Sequence, residues 1–218
     1  MILLCIVTIF SKSTTANADD RYVKLCERYF TEFAEDYGKF GQKDGFTYLY
    51  SDKKNTATIV AIPMEQKKVA VPEKINGKTV TKIELMDVFS CSSNYYFRDE
   101  FYGEHEDNPV PKVEYLSIPK TVKVINIYAG IGLTEGYCGE LQSYLVHLKK
   151  FNVASANKWY RSYKGMLYTK NGKKLLLVPR KYMAKTVKVK KGTTKIADFA
   201  FSFCTNIKKV ILPDTVKV

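Results

Sequence analysis

Val187-Lys188-Val189-Lys190 and Val210-Ile211-Leu212-Pro213, 23 positions apart, share one short phrase: two apolar residues straddle a third, and proline or a replacement follows. The phrase also reads Val69-Ala70-Val71-Pro72 and Leu116-Ser117-Ile118-Pro119, with 47 positions between those two prolines and 71 between Pro119 and Lys190. These separations fall near one, two and three steps of a period in the twenties. Such a period marks a stacked-repeat protein, in which no single repeat can bury its own apolar face. Phe151-Asn152-Val153-Ala154 is a fifth, weaker copy. The alternation sets Val69 and Val71, or Val187 and Val189, on one side of a short strand and the middle residue on the other.

The residues after each phrase recur as well. After Lys190 come Ile196, Ala200-Phe201 and Cys204-Thr205-Asn206. After Pro72, beyond an Ile75-Asn76-Gly77-Lys78 turn, come Ile83, Val88-Phe89 and Cys91-Ser92-Ser93-Asn94. Val122 and Ile125 come after Pro119, and Val216 comes after Pro213 in the position of Val122. Ala-Phe beside a small residue fits a tight helical turn that drops a phenyl ring into the core.

Ile196 to Phe201 followed by Ile207 to Val216 resembles the repeat of the BspA-like leucine-rich-repeat family of mainly bacterial surface proteins. The segment from Trp159 to Pro179 resembles the hairpin inserted between that family's repeats. The likeness covers roughly Phe46 to Val218, with departures at the insertion Ser92 to Lys112 and at Asn126 to Tyr144. It implies an α/β, β-rich fold: a right-handed leucine-rich-repeat solenoid with short parallel strands. It also implies adhesion to host or matrix proteins, or contact with other microbes.

At the N-terminus, Ile2 to Phe10 is apolar but too short to span a bilayer, and Ala16-Asn17-Ala18 is a small-x-small cleavage site. Residues 1–18 are therefore expected to be a signal peptide, although no basic residue precedes the apolar run. The mature chain would then have no stable membrane span. In residues 19–62, Val23, Cys26, Tyr29, Phe30, Phe33 and Tyr37 fall at helical spacing up to Gly38. Phe46 to Tyr50 and Ala57 to Ile62 flank a Ser51-to-Thr56 turn as a hairpin. Helix and hairpin together would cap the repeat stack of residues 63–218.

Within that stack, 92–112 reads as an inserted loop and 155–184 as an inserted hairpin. In the latter, Gly165 to Thr169 and Lys173 to Leu177 are joined by Asn171-Gly172, a type I′ pair. Val218 falls in the middle of a repeat, so the C-terminus is expected to be a truncation with more chain beyond it.

The residues of chemistry are sparse. Two histidines, His105 and His147, and five cysteines form no metal-ligand spacing. Cys91 and Cys204 share one repeat slot, where a small apolar residue stacked in the core is the expected role, ahead of a disulfide or a nucleophile. Gly130 to Gly136 lacks nucleotide-binding spacing, and Glu104-His105-Glu106-Asp107 matches no established metal site. The reading is non-enzymatic, with no catalytic residue, no metal and no cofactor.

Two features favour binding. The net charge is +13, and lysines recur in two slots before each phrase: Lys67-Lys68, Lys149-Lys150 and Lys208-Lys209, with Lys185 in one of them. Rungs about 4.8 Å apart would align these lysines into a basic stripe for a polyanion such as a sulfated or sialylated glycan. The plainer alternative is a solvated face that prevents edge-to-edge aggregation. The second feature is the insertion, where Tyr95, Tyr96, Phe97, Phe101 and Tyr102 stand among acidic residues in the manner of a protein-recognition loop. The bland counterpart is an acidic loop that balances neighbouring lysines.

The expected protein is thus secreted or displayed on a cell surface, is adhesin-like, and presents its scaffold to an extracellular protein or an anionic glycan. Nucleic acid suits the charge but not export. The alternative is a targeting module of a larger secreted enzyme whose catalytic domain lies beyond residue 218.

Overall fold

The computed structural model describes residues 39–85, 110–126 and 144–217. Among these residues the fold is β-rich, built from fifteen strands of at most six residues. The chain opens with an antiparallel unit of β1 (Lys39–Lys43), β2 (Phe46–Ser51) and β3 (Thr56–Ala61). It continues through β4 (Lys68–Ala70), β5 (Lys74–Ile75), β6 (Lys78–Ile83), β7 (Tyr115–Ile118), β8 (Val124–Ile125) and β9 (Lys150–Val153). A meander of β10 (Tyr160–Tyr163), β11 (Met166–Thr169) and β12 (Lys174–Leu177) comes next. Then come β13 (Thr186–Lys188), β14 (Lys195–Ile196) and β15 (Lys209–Ile211).

The repeated phrases lie side by side in one direction. β4, β7 and β9 pair in parallel with Val69, Leu116 and Phe151 in register, and β13 pairs β15 in parallel with Val187 opposite Val210. A second wall is made of β3, β6 and β8, where Ile59, Ile83 and Ile125 align, and of β12 with β14, where Leu175 meets Ile196. Apart from the β5–β6 hairpin and the β10–β11 pair, the chain alternates between the walls from β3 to β15. The apolar residues of both walls face each other, except in β15, where Val210 and Ile211 are exposed. Val69, Leu116, Phe151, Ile59 and Ile83 are all buried in one cluster. Full burial of a side chain of this size stabilises the fold by roughly 1.5–3 kcal/mol.

Register corrects the repeat arithmetic. β4 and β7 are direct neighbours, so the 47 residues between their prolines form one enlarged rung rather than two. Only the strand of a rung is held to the neighbour's geometry. The crossover is free to lengthen, because closing a longer loop costs little extra entropy.

The meander is more than a hairpin hung on the stack. β11 is buried on both faces: Leu167 joins the first core cluster, whereas Met166 and Tyr168 join a second one with Leu175, Val187 and Val189. The Phe151 amide donates to the Gly165 carbonyl at 2.9 Å, so β9 turns its next edge to the meander. β12 then serves as a rung of the second wall.

The turns obey the twist of the strands they join. Asp44-Gly45, Asn76-Gly77 and Lys164-Gly165 each have both φ values between 45° and 85°, and each links strands that pair directly across the two residues. This is the type I′ geometry, which matches right-handed strand twist. Asn171-Gly172 does not belong with them. Only Gly172 has a positive φ, 71°, and its amide donates to the Thr169 carbonyl at 2.8 Å, closing a longer loop. The hairpin of β11 and β12 is therefore present, but its turn is not type I′.

The expected signal peptide, the expected helix up to Gly38 and most of the expected 92–112 loop fall outside the described residues. Lys39–Lys43, just after the expected helix, is strand β1 and not part of a plain two-stranded hairpin cap. Ala200 is buried as the repeat pattern requires, but Phe201 is only half-buried, and Phe199 and Phe203 beside it are exposed.

Candidate binding surface

Strand alternation that buries Val69, Leu116 and Phe151 turns the residues before them outward. Register then places Lys68, Tyr115 and Lys150 in one row across β4, β7 and β9. One position earlier, the chain sets Lys67, Glu114 and Lys149 beside each other: the Glu114 amide donates to the Lys67 carbonyl, and the Lys149 amide donates to the Glu114 carbonyl, both at 2.8 Å. The lysines expected to make a continuous stripe are thus separated by Glu114 and Tyr115.

Glu114 changes the electrostatics of this wall. Its carboxylate accepts from Lys149 Nζ at 2.8 Å and lies 4.0 Å from Lys67 Nζ. The Lys149 hydrogen bond holds the Glu114 carboxyl below its usual range, and the same bond raises the Lys149 ammonium. Lys149 is consequently occupied by a partner. Lys150 is constrained differently, because its stem lies across Gly165 so closely that a Cβ there would stand 2.9 Å from Lys150 Cγ.

The second ladder has no such interruption. Lys208 and Lys209 both donate their amides to the Lys185 carbonyl, at 2.7 and 3.1 Å, and Lys209 pairs with Thr186. Among the described residues, Lys185, Lys208 and Lys209 have no ion-pair partner. Of the seven lysines singled out from sequence, Lys68 and Lys150 likewise have no ion-pair partner among the described residues, but Tyr115 stands between them, whereas these three lie together. Beside them Val210, Ile211 and Leu212 are exposed, and β15 is paired on one edge only among the described residues. The aromatic residues Tyr95, Tyr96, Phe97, Phe101 and Tyr102 lie outside the described residues.

The second wall carries a concave site that the sequence reading missed. An open cleft of about 620 Å³ lies over β2, β3 and β6. Its floor is set by register: Leu49 of β2, Thr58 of β3 and Lys82 of β6 stand opposite one another, with Ser51 and Thr56 in the adjacent row. The β2–β3 turn brings Asp52, Lys53 and Lys54 to one rim, and Lys39, Tyr50 and Glu84 complete the lining. Asp52 is doubly held, by Lys78 at 2.7 Å and Lys39 at 3.0 Å, and these bonds lower its carboxyl from the ordinary range. Glu84 accepts from Lys82 at 2.6 Å and from Asn126 at 2.8 Å. A lysine pair in a hairpin turn passes for ordinary turn composition, and only register shows that Thr58 and Lys82 share its face.

Groups suited to other chemistry are scarce among the described residues. No cluster of three histidine, cysteine or acidic side chains is placed to hold a metal there. The Cys204 thiol is half-buried and donates weakly to the carbonyls of Val178 and Pro179, both at 3.6 Å. Burial pushes it up to about 11, so it is a neutral thiol near pH 7. Among the described residues no helix is long and apolar enough to cross a membrane.

No protein-family model matches the chain, and no curated protein matches it in sequence. Solved structures do resemble it. One is the pneumococcal vaccine antigen PcpA, at 15% identity and a TM-score of 0.37, covering 83% of this chain and 66% of that one. A second is a leucine-rich repeat protein from Eubacterium ventriosum, at 16% identity and a TM-score of 0.41, covering 81% of this chain and 60% of that one. A third is a leucine rich cell surface protein from Faecalibacterium prausnitzii, at 18% identity and a TM-score of 0.36, covering 84% of this chain and 45% of that one. The chain spans between 45% and 66% of the length of these three.

Proposed function

We propose that this protein is a non-catalytic binding scaffold, secreted or displayed on a cell surface, that presents its walls to an extracellular protein or an anionic glycan. In this reading the alternating walls are coils of a right-handed leucine-rich-repeat solenoid, capped at the N-terminal end by a helix and the β1–β3 unit. The carrying observation is the group of Lys185, Lys208 and Lys209, without an ion-pair partner among the described residues, on a parallel ladder whose first strand buries Val187 while Val210 of the second is exposed. The paired backbones set these lysines at rung spacing, so an anionic polymer meets them without the ladder having to reorganise. Surface lysines exert modest, salt-screened attraction one at a time, and an array of them is what gives a polymer useful affinity.

The test uses residues 19–218 on an array of sulfated, sialylated and neutral glycans, and on immobilised matrix proteins. Binding to anionic glycans that falls at least tenfold in Lys185→Glu/Lys208→Glu/Lys209→Glu supports the ladder as a contact surface. A wild-type chain that retains no anionic glycan and no matrix protein at 150 mM salt refutes the adhesin-like reading.

A further inference from the structure

The cleft over β2, β3 and β6 combines three properties that the lysine ladder lacks. It is concave, and its volume of about 620 Å³ lies within the range of small-ligand sites. Its floor carries Ser51, Thr56 and Thr58, whose hydroxyls lie over the buried Leu49. Its charge is unbalanced, with four lysines in the lining against two carboxylates, and both carboxylates are already taken up by two donors each. Lys53 and Lys54 are left on the rim with no ion-pair partner among the described residues.

Each property selects a ligand feature. The free ammonium groups call for an anion. Hydroxyls suit a saccharide ring, whose own hydroxyls exchange hydrogen bonds with side-chain oxygens. A bare polyanion needs no such partners. Asp52 and Glu84 are not obstacles, because their lone pairs are directed at Lys39, Lys78, Lys82 and Asn126. They also hold Lys39 and Lys82 in place, so the cleft is organised before a ligand arrives.

We propose that this cleft is a binding site for an anionic saccharide unit, in which Lys53 and Lys54 meet the sulfate or carboxylate while Thr58 and Thr56 meet ring hydroxyls. The choice of ligand class rests on the glycan reading of the proposed function, but the site is distinct from the ladder. It lies on the other wall and depends on none of the same residues.

The experiment titrates the chain with two probes, a heparin octasaccharide and a hyaluronan octasaccharide, which separate sulfate from carboxylate as the anion. Three variants accompany the wild type: Lys53→Glu/Lys54→Glu, Thr58→Val, and Lys208→Glu/Lys209→Glu, which has the same net charge as the first. The expected result is at least a tenfold loss of affinity in the first and about a threefold loss in Thr58→Val, which leaves charge untouched. Loss in the Lys53/Lys54 variant with Thr58→Val unchanged overturns the proposal, since attraction would then be general electrostatics. Wild-type affinity in both cleft variants, with loss only in Lys208→Glu/Lys209→Glu, overturns the cleft and leaves the ladder reading standing. A wild-type chain that binds neither probe overturns the cleft, and the glycan part of the proposed function with it.

Discussion

Asn157 is the side chain whose removal should cost the fold most for its size. It is fully buried, and its amide is saturated. Nδ2 donates to the carbonyls of Pro119 at 2.8 Å and Val122 at 2.9 Å, while Oδ1 accepts from the amides of Trp159 at 2.9 Å and Tyr160 at 2.8 Å. One amide thus ties the turn after β7 to the start of β10. In Asn157→Ala four backbone groups lose their partner at once. Each such bond is worth about 1 kcal/mol net, and an orphaned buried group costs about 1–3 kcal/mol. With water entering the vacated space to recover part of this, a loss of about 4 kcal/mol is expected. At a urea slope of about 2 kcal/mol/M the midpoint should fall by about 2 M. The chain has a single tryptophan, Trp159, so its emission reports this junction while far-UV circular dichroism reports the whole stack. Asn157→Leu discriminates the cause. It restores bulk but orphans the same four groups, and should lose nearly as much as alanine. A loss below about 1 kcal/mol in Asn157→Ala, or full recovery in Asn157→Leu, refutes the hydrogen-bond account.

Lys164 adopts φ 53° as the first residue of a type I′ turn, where asparagine is at less of a disadvantage; Lys164→Asn should therefore raise the thermal midpoint, by up to about 1 kcal/mol in stability, and a destabilised variant would contradict the turn assignment. Because pairing with Lys149 lowers the Glu114 carboxyl in the fold, its contribution is present above the ordinary value of 4.5 and is lost as pH falls through the folded value. Urea unfolding at pH 7 should accordingly separate wild type from Glu114→Gln, and at pH 3 the gap should narrow; a gap that widens in acid disproves the pairing. Cys204, with its thiol near 11, should react with iodoacetamide at pH 7.5 much more slowly in the folded chain than in urea, as monitored by peptide mass spectrometry; equal rates would mean that the thiol is not shielded.

The parallel ladders were legible because period-two alternation and a small set of apolar residues specify which side of a strand is buried. Turns were legible where the dipeptide was Asn76-Gly77 and opaque where it was Lys164-Gly165, since lysine gives no signal for positive φ. β1 and β10 were invisible for a related reason. Lys-Phe-Gly-Gln-Lys and Tyr-Arg-Ser-Tyr are edge strands with little to bury, and their pairing comes from the hairpin partner. The break in the lysine ladder was, by contrast, readable. Counting back from Leu116 as from Val69 and Phe151 lands on Glu114-Tyr115, an acid and an aromatic in slots that hold lysines on either side. The cleft over β2 was not readable, because it depends on which strand lies beside β3.

The slot three residues past each phrase shows what the stack asks of its contacts. It holds Ile75, Val122, Asn157, Thr193 and Val216. Ile75 and Val122 are buried and apolar, in rungs whose strands pair directly through β4 and β7. The slot turns polar at Asn157 and Thr193, the two positions that bracket the meander. Asn157 accepts from the first amides of the chain entering β10, and Thr193 Oγ1 donates to the Gly172 carbonyl, at 3.1 Å, in the turn between β11 and β12. Apolar burial is non-directional and lets a rung slide, whereas a saturated amide or hydroxyl accepts one register alone. Where the stack repeats itself, the neighbouring ladder already specifies that register. Where an irregular segment enters, directional bonds do so, and the meander is fastened at its start and at its β11–β12 turn by the residues that depart from the apolar pattern.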